Sequence, residues 1–127
     1  MAPSPPPRDA PPILRGEIYW LHSKERGALP GVPHPHVVIS DQVFNNSRIG
    51  TVVLCGLTTN LKRANEPGNV LLEPGEGGLP RQSVLVVSLI SSAQKSDLGQ
   101  PAGQLSQERV DQVLAGMRFQ QTAYFRS

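Results

Sequence analysis

Short β-rich runs, each closed by a turn that contains proline, glycine or asparagine, limit the fold of this chain more than any other feature. Five runs are rich in the β-branched, aromatic and aliphatic residues typical of strands: 17–21, 36–40, 51–57, 69–72 and 83–90. Since turns rather than helices join them, the pattern favours a mainly β fold, a small barrel or sandwich, over a parallel sheet with crossover helices. The length of 127 residues suits one domain.

The central run, 52–57, is predicted to be a buried strand that ends in the polar segment 58–63, TTNLKR. Two interpretations stay open: a site at the tip of the strand, or a core strand that runs into a solvated turn. From Gln42 to Asn65 the chain has three cations and no acid, so the local field should attract phosphates. A solvated basic rim would give the same count.

One helix is predicted, near the C-terminus. Ser106 can cap it, and Leu105 can form a hydrophobic staple with Val110, although Arg109 occupies the acidic position of a capping box. Val110, Val113, Leu114 and Met117 recur at helical spacing. This apolar stripe is expected to dock on the sheet, with a partner-binding face as the alternative.

The first twelve residues hold six of the 13 prolines and nothing that could form a core. We expect a disordered arm over residues 1–13, followed by the domain at 14–127. The chain shows no secretory h-region and no apolar run long enough to cross a bilayer, and its one cysteine, Cys55, has no partner for an internal disulfide. These features predict a cytoplasmic protein with no membrane contact.

The segment from His22 to Pro35 contains three prolines and two glycines and is predicted to be a loop of functional length. In the strand before it, Tyr19 and Trp20 should lie on opposite faces, with one ring in the core. The glycine-rich segment 75–78 is bracketed by prolines and is predicted to be a turn rather than a phosphate cradle. There is no nucleotide-binding motif and no metal-ligand set, so no cofactor and no metal are predicted.

Several short motifs, taken in order, resemble the MazF/PemK toxins over residues 15–118. They are RGEIYW from Arg15, PHVVIS from Pro35, TVVLCGLTTNL from Thr51, GNVLL from Gly68 with GLP from Gly78, SV from Ser83 and KSDLG from Lys95. The resemblance implies a small SH3-like β-barrel with a C-terminal helix, similar to the CcdB and PemK folds, which forms a homodimer. It also implies cleavage of single-stranded RNA (mRNA) without a metal, and silencing by a cognate antitoxin.

In that family the ribose 2′-hydroxyl attacks the adjacent phosphate, which leaves a cyclic phosphate and a free 5′-hydroxyl. This chemistry needs a base, an acid and donors for the phosphorane. The family's catalytic threonine corresponds to Thr58, whose branched side chain holds a rigid donor. The resemblance places further RNA contacts along the tip and beyond it, at Thr59, Asn60, Lys62, Arg63 and Lys95.

The chain departs from the family pattern where a catalytic arginine usually precedes the proline that opens the second strand. Here that residue is His34, and the family's glutamine and arginine late in the long strand are replaced by Leu89 and Ser91. His34 and His36 would point to one side of an extended segment and could share acid and base roles, with His36 also near the RNA. Alternatively, His34 is a loop residue and His36 an edge residue. Arg26 could supply the missing guanidinium.

Three functions therefore compete. The leading one is a toxin endoribonuclease. The second is a noncatalytic, protein-binding poison like the CcdB gyrase toxins, whose fold is similar. The third is a degenerate member that binds RNA or antitoxin without cutting.

Overall fold

A computed structural model describes residues 12–22 and 31–125. Within them it contains six strands and two α-helices, in the order β1 (Glu17–His22), β2 (Pro33–Val38), α1 (Gln42–Asn45), β3 (Thr51–Thr58), β4 (Val70–Leu72), β5 (Ser83–Gln94), β6 (Gly103–Gln104) and α2 (Gln107–Phe125). Short 3₁₀ turns cover Leu61–Asn65, Glu76–Gly78 and Lys95–Asp97.

The six strands form one antiparallel sheet in the order β4-β5-β3-β2-β1-β6. The sheet curls into a half-barrel, which confirms the predicted mainly β fold with a C-terminal helix. Its central strand is β3, as expected, because β3 pairs with both β2 and β5. The strand that sequence reasoning missed is β6, whose two residues are too short to carry a pattern.

Each face of the curled sheet carries its own apolar core. The larger core lies under α2 and contains Ile18, Val37, Cys55, Leu57, Leu85 and Val113 among others. The smaller core contains Ile13, Tyr19, Val38, Val52 and Leu54. Neighbouring residues of β3 thus alternate between the two cores, as side chains of a strand must.

The start of α2 is fixed by the predicted cap, because the Ser106 hydroxyl accepts a hydrogen bond from the Arg109 backbone N–H at 3.2 Å. Val110 and Val113 are buried in the larger core, and Leu114 and Met117 pack against it. The apolar stripe therefore docks on the sheet, as expected. Lacking a capping-box acid, the helix instead ties Arg109 to Glu76, with Nε–Oε1 and Nη2–Oε2 distances of 2.9 and 3.0 Å.

The two aromatic residues of β1 separate as predicted. Tyr19 is 3% exposed and Trp20 is 42% exposed. The Tyr19 hydroxyl donates to Glu17 Oε1 at 3.0 Å, and burial, reinforced by that carboxylate, raises the pKa of Tyr19. Glu17 also accepts from the Leu14 backbone N–H, so the buried pair is hydrogen-bonded on both sides.

Strand β2 begins at Pro33 rather than at His36, so the prediction of a loop through Pro35 was wrong at its end. β3 pairs with β2 only from His36 onward, which leaves the β3 side of β2 open at Pro33 and Pro35. A proline lacks an N–H donor and is tolerated where a strand has a free edge. Two prolines therefore do not stop this strand.

Other predictions fall outside the described residues. They concern the N-terminal arm up to residue 11 and most of the long loop, residues 23–30, which includes Arg26. The domain boundary stays a prediction. Among the described helices, none combines the length and apolar character needed to cross a membrane.

Candidate active site

Thr58 is the last residue of β3, half-buried and paired with Val84 of β5. Its hydroxyl oxygen accepts a hydrogen bond from the Asn60 backbone N–H at 3.2 Å, the local turn that hydroxyl residues favour. Because the oxygen accepts this bond, the hydroxyl hydrogen is left to donate to another group. Thr58 is therefore a positioned donor at the end of a rigid strand.

The segment that follows, residues 58–63, forms an exposed tip. Asn60 Oδ1 accepts from the Lys62 backbone N–H at 3.3 Å and caps the 3₁₀ turn Leu61–Asn65. The Lys62 side chain is exposed and meets no partner in the part of the chain that the structure describes. Arg63 differs, since its Nε lies 3.1 Å from Glu66 Oε2 and this hydrogen bond lowers the pKa of Glu66. Lys62 is the freer of the two cations.

Asn69 anchors the tip to the sheet, a role that sequence reasoning missed. Its Nδ2 donates to the Arg63 carbonyl oxygen at 2.9 Å and to Glu66 Oε1 at 3.1 Å. Its Oδ1 accepts from the buried Val87 N–H at 3.1 Å. In this region β5 departs from β3, because Cys55 pairs with Ile90 but Leu57 pairs with Leu85. An asparagine after a proline-glycine turn is an uninformative pattern, so only the fold identifies it.

The two histidines of β2 approach this tip from the neighbouring strand. His36 pairs with Gly56 of β3, and the antiparallel register, continued by two residues, sets His34 opposite Thr58. The ladder between β2 and β3 ends at His36, so no hydrogen-bonded pairing joins His34 to Thr58. The register leads the predicted threonine and the histidine that replaces the family's arginine to the same end of the sheet.

His34 is half-buried, and its Nε2 is buried without a hydrogen-bond partner among residues 12–22 and 31–125. A buried polar nitrogen of this kind is rare and points to a functional role or to a partner that arrives with a ligand. The alternative of a loop position is wrong, because His34 lies within β2 and pairs with Leu21 of β1.

His36 is 4% exposed and lies between β1 and β3, so the alternative of an edge residue is wrong as well. Its Nδ1 lies 2.8 Å from the His34 carbonyl oxygen, which can only accept, so Nδ1 carries the hydrogen. His36 therefore holds the backbone of His34 in place. Alternation puts both rings on the same side of β2, as predicted.

Lys95 lies far from this group. Gln94, its neighbour, pairs with Thr51 at the opposite end of β3 from Thr58, a separation of roughly 23 Å along eight residues of strand. The Lys95 ammonium donates to the carbonyl oxygens of Phe44 and Ser47, at 3.0 and 2.7 Å, and burial lowers its pKa.

Two further predictions concerned the positive field of the acid-free window from Gln42 to Asn65 and the lack of a metal-ligand set. Arg48 also lies at the Lys95 end of β3, so the acid-free window splits into two separate cationic regions. Among the described residues, no three His, Cys, Asp or Glu side chains are grouped as metal ligands.

Comparison with known proteins agrees with this geometry. The family model of the PemK-like, MazF-like toxins of type II toxin-antitoxin systems matches residues 14–120. Endoribonuclease MazF2 of Mycobacterium bovis and endoribonuclease MazF6 of Mycobacterium tuberculosis are each 36% identical over 107 residues, which is 84% of this chain and 94% of each relative.

Solved structures show the same fold. An endoribonuclease in complex with its cognate antitoxin, from a mycobacterial species, aligns with a TM-score of 0.67 at 21% identity, over 84% of this chain and 92% of that one. The Mycobacterium tuberculosis toxin MazF-mt6 aligns with a TM-score of 0.64 at 16% identity, over 80% and 91%. Since the family match spans the whole sheet and most of α2, and the sequence relatives match over nearly their full length, the chain belongs to the PemK-like, MazF-like toxins of type II toxin-antitoxin systems.

Proposed function

We propose that this protein is a toxin endoribonuclease that cleaves single-stranded RNA, with mRNA as its cellular substrate, at short specific sequences and without a metal. The observation that carries the proposal is the register of β2 against β3, which leads His34 and Thr58 to the same end of the sheet beside the exposed tip, together with the buried His34 Nε2 that has no hydrogen-bond partner among the described residues. A hydroxyl donor and an unpartnered imidazole nitrogen at the gap between two strands supply the groups that phosphodiester cleavage needs. Family membership identifies the class of reaction.

In the proposed reaction, the 2′-hydroxyl oxygen attacks phosphorus and the bond from phosphorus to the 5′ oxygen breaks. A base takes the 2′ proton and an acid gives a proton to the departing oxygen, which yields a 2′,3′-cyclic phosphate and a 5′-hydroxyl. Thr58 donates to a nonbridging phosphate oxygen, where negative charge develops. His34 serves as the acid or the base, since an imidazole can give or take a proton near neutral pH.

The exposed groups of the tip would bind the nucleotides on either side of the scissile phosphate. Thr59 and Asn60 offer hydroxyl and amide groups, and Lys62 offers a cation that the described residues leave unpaired. Arg63 donates to Glu66 through Nε, so its Nη groups could contact a phosphate, although Glu66 offsets its charge. Lys95, at the opposite end of β3, and His36, which holds the His34 backbone, are not expected to touch the scissile phosphate.

We propose that the protein acts as a homodimer in the cytoplasm and is neutralised by a cognate antitoxin. An acidic, partly disordered antitoxin segment would fit the tip, because residues from Gln42 to Asn65 contain no acid to repel it. Binding of this kind should weaken as salt increases.

The deciding experiment is to incubate the purified protein with a mixed RNA in EDTA and to sequence the new ends. Cleavage at a short recurring sequence, leaving a cyclic phosphate and a 5′-hydroxyl, is the expected result. Activity that EDTA abolishes and magnesium restores would contradict the mechanism. Binding of RNA without any cleavage would support the degenerate member, a reading that the replacement of arginine by His34 favours.

A further inference from the structure

The outer side of β5 lies open from Ile90 to Gln94. β4 pairs with β5 only at residues 83–85, and the Asn69 side chain accepts a hydrogen bond from the Val87 N–H just beyond them. From Ile90 onward β5 pairs with β3 on its inner side, and no strand of the described sheet pairs with its outer side. We call the outer side of residues 90–94 the β5 edge.

The pairing of β5 with β3 shows which backbone groups lie on this edge. The Lys95 N–H donates to the Gly50 carbonyl oxygen at 2.8 Å, so the backbone of Lys95 points towards β3. In an antiparallel sheet the backbone groups of successive residues point to opposite sides of the strand. The N–H and C=O groups of Ile90, Ser92 and Gln94 therefore point outward, and they have no backbone partner among residues 12–22 and 31–125.

The side chains of the β5 edge are exposed as well. Ile90 is 45% exposed, Ser92 and Gln94 are exposed, and Val53, on the same face of the neighbouring strand β3, is 38% exposed. The run from Gln82 to Gln94 contains no charged residue and no proline. Charges and prolines are the usual protection of an exposed strand edge, so the β5 edge is a surface for pairing with another strand.

We propose that the β5 edge joins two copies of this chain, with their β5 strands antiparallel and Ser92 at the two-fold axis, an inference that rests on the proposed homodimer. An acidic antitoxin segment would find no cation in the run from Gln82 to Gln94. Two copies of that run bring no like charges together, and a two-fold axis makes one surface complementary to itself. The strand that covers the edge therefore belongs to a second copy.

The register of the two copies follows from the outward groups. With Ser92 opposite its own copy, Ile90 of each chain lies opposite Gln94 of the other, and all three outward residues exchange hydrogen bonds across the axis. A shift by one pair in either direction would leave Gln94 or Ile90 opposite a residue outside the edge. The two sheets become one continuous sheet, and the exposed Ile90 side chains lie on the same face beside the axis.

The first test is a disulfide between the copies. In Ser92→Cys the two facing Cα atoms should lie about 5.5 Å apart, within the range that a disulfide spans, so a mild oxidant should convert most of the protein to a cross-linked dimer on a non-reducing gel. Ile90→Cys is the matched control, because its two copies lie four residues apart along the strands, roughly 13 Å, and should not cross-link. A mixture of Ile90→Cys and Gln94→Cys proteins should cross-link. The native Cys55 is buried and is present in every sample.

The second test places charges at the axis. Ser92→Lys or Ser92→Asp alone sets two like charges opposite each other, which should raise the dimer Kd by about 5-fold at low salt. Mixing the two variants sets opposite charges together and should restore dimerisation. Gln121→Lys, which adds the same charge at an exposed position of α2, is the control and should leave the Kd unchanged. Light scattering over a range of protein concentrations gives each Kd, and circular dichroism checks that every variant is folded.

The outcomes separate this interface from other arrangements. A protein that is dimeric but does not cross-link through Ser92→Cys is joined at another surface, and its β5 edge is covered by another segment or by the antitoxin, which would overturn the proposal. Equal cross-linking of Ser92→Cys and Ile90→Cys, or a monomer at working concentration, would overturn it too. None of these measurements uses RNA, so a protein that cuts no RNA would refute the proposed ribonuclease and leave the result on the interface unchanged.

Discussion

Replacing Asn69 with alanine should destabilise the protein and loosen the tip that carries Lys62. The Asn69 side chain makes three hydrogen bonds: one to Arg63 in the tip, one to Glu66 just beyond it and one to the backbone of β5. Alanine removes all three, so the turn before β4 loses its link to the strand that pairs with Thr58. The expected effect can be divided according to the exposure of each partner.

The bond to the Val87 N–H contributes most. Val87 is 2% exposed, and a buried N–H without an acceptor costs about 1–3 kcal/mol. The bond to the Arg63 carbonyl oxygen contributes about 0.5–1 kcal/mol, since water can replace the lost donor in part. The contact with Glu66 is exposed and adds little. The sum is a loss of about 1.5–4 kcal/mol in the free energy of unfolding.

Urea denaturation of Asn69→Ala, Asn69→Asp and Asn46→Ala tests this estimate. In Asn69→Asp the Val87 N–H keeps its acceptor, but the donor becomes an anionic oxygen that repels the Arg63 carbonyl oxygen and the Glu66 carboxylate, so this variant should release the tip without orphaning the Val87 N–H. Asn46 is an exposed asparagine whose Oδ1 accepts one side-chain hydrogen bond, and its replacement should cost well under 1 kcal/mol.

Cleavage kinetics on one short RNA then separate anchoring from general stability. Under conditions where all variants are folded, both Asn69 variants should have a higher KM, because Lys62 in the tip is no longer held in place. Asn46→Ala should leave KM unchanged. If Asn69→Ala unfolds at the same urea concentration as Asn46→Ala, the reasoning about the orphaned Val87 N–H is wrong. If its KM equals that of the wild type, the tip does not depend on Asn69.

Further predictions follow from the site and the helix. Thr58→Ala should stay folded and lose roughly 10²-fold or more in cleavage rate, the scale of one lost transition-state donor, and an unchanged rate would reject Thr58 as catalytic. The wild-type rate should vary with pH near neutrality, with one limb missing in His34→Gln and a flatter profile in His34→Arg. If Arg26→Ala lowers the cleavage rate strongly and His34→Gln lowers it little, the Arg26 guanidinium rather than His34 serves the site. The hydrogen bond from Arg109 lowers the pKa of Glu76, so this pair should stabilise the protein at neutral pH and cease to do so as the pH falls through that lowered pKa. Glu76→Gln should remove this acid-sensitive contribution to stability. The expected difference is about 1 kcal/mol in the free energy of unfolding, measured by urea denaturation at pH 7 and at pH 3. Light scattering should give the mass of a homodimer, and a monomer at working concentration would refute it.

The features that could be predicted from the sequence are local ones. The cap at Ser106 and the stripe along α2 depend on residues three or four apart, and the separation of Tyr19 from Trp20 depends only on alternation. The family resemblance predicted Thr58 as catalytic at the end of the central strand, and the structure confirms only its place at the end of β3. In each case the information lies within one turn or one strand, where propensity and periodicity are reliable.

The features that could not be predicted depend on pairing between distant residues. His34 and Thr58 come to the same end of the sheet only because of the register of β2 against β3, which no local pattern encodes. Lys95 and Lys62 are both lysines beside polar residues, yet one is bound to two carbonyl oxygens and the other is exposed. Pro33 and Pro35 suggested a loop, but they lie in β2, where the side of the strand that faces β3 is unpaired. Position in the sheet decided all three.

A contact that lies outside both apolar cores also limits the position of α2 on the sheet. Gly68 and Gly116 touch through their backbones, and a Cβ at Gly116 would overlap the Gly68 carbonyl oxygen. A shift of α2 by one residue, which is about 1.5 Å along its axis together with a turn of about 100°, would bring Ala115 or Met117 to this point and force the turn at Gly68 outward. The paired glycines therefore fix the position of α2 along its axis. A partner that displaced α2 would move the turn at Gly68, and with it the segment that carries Lys62.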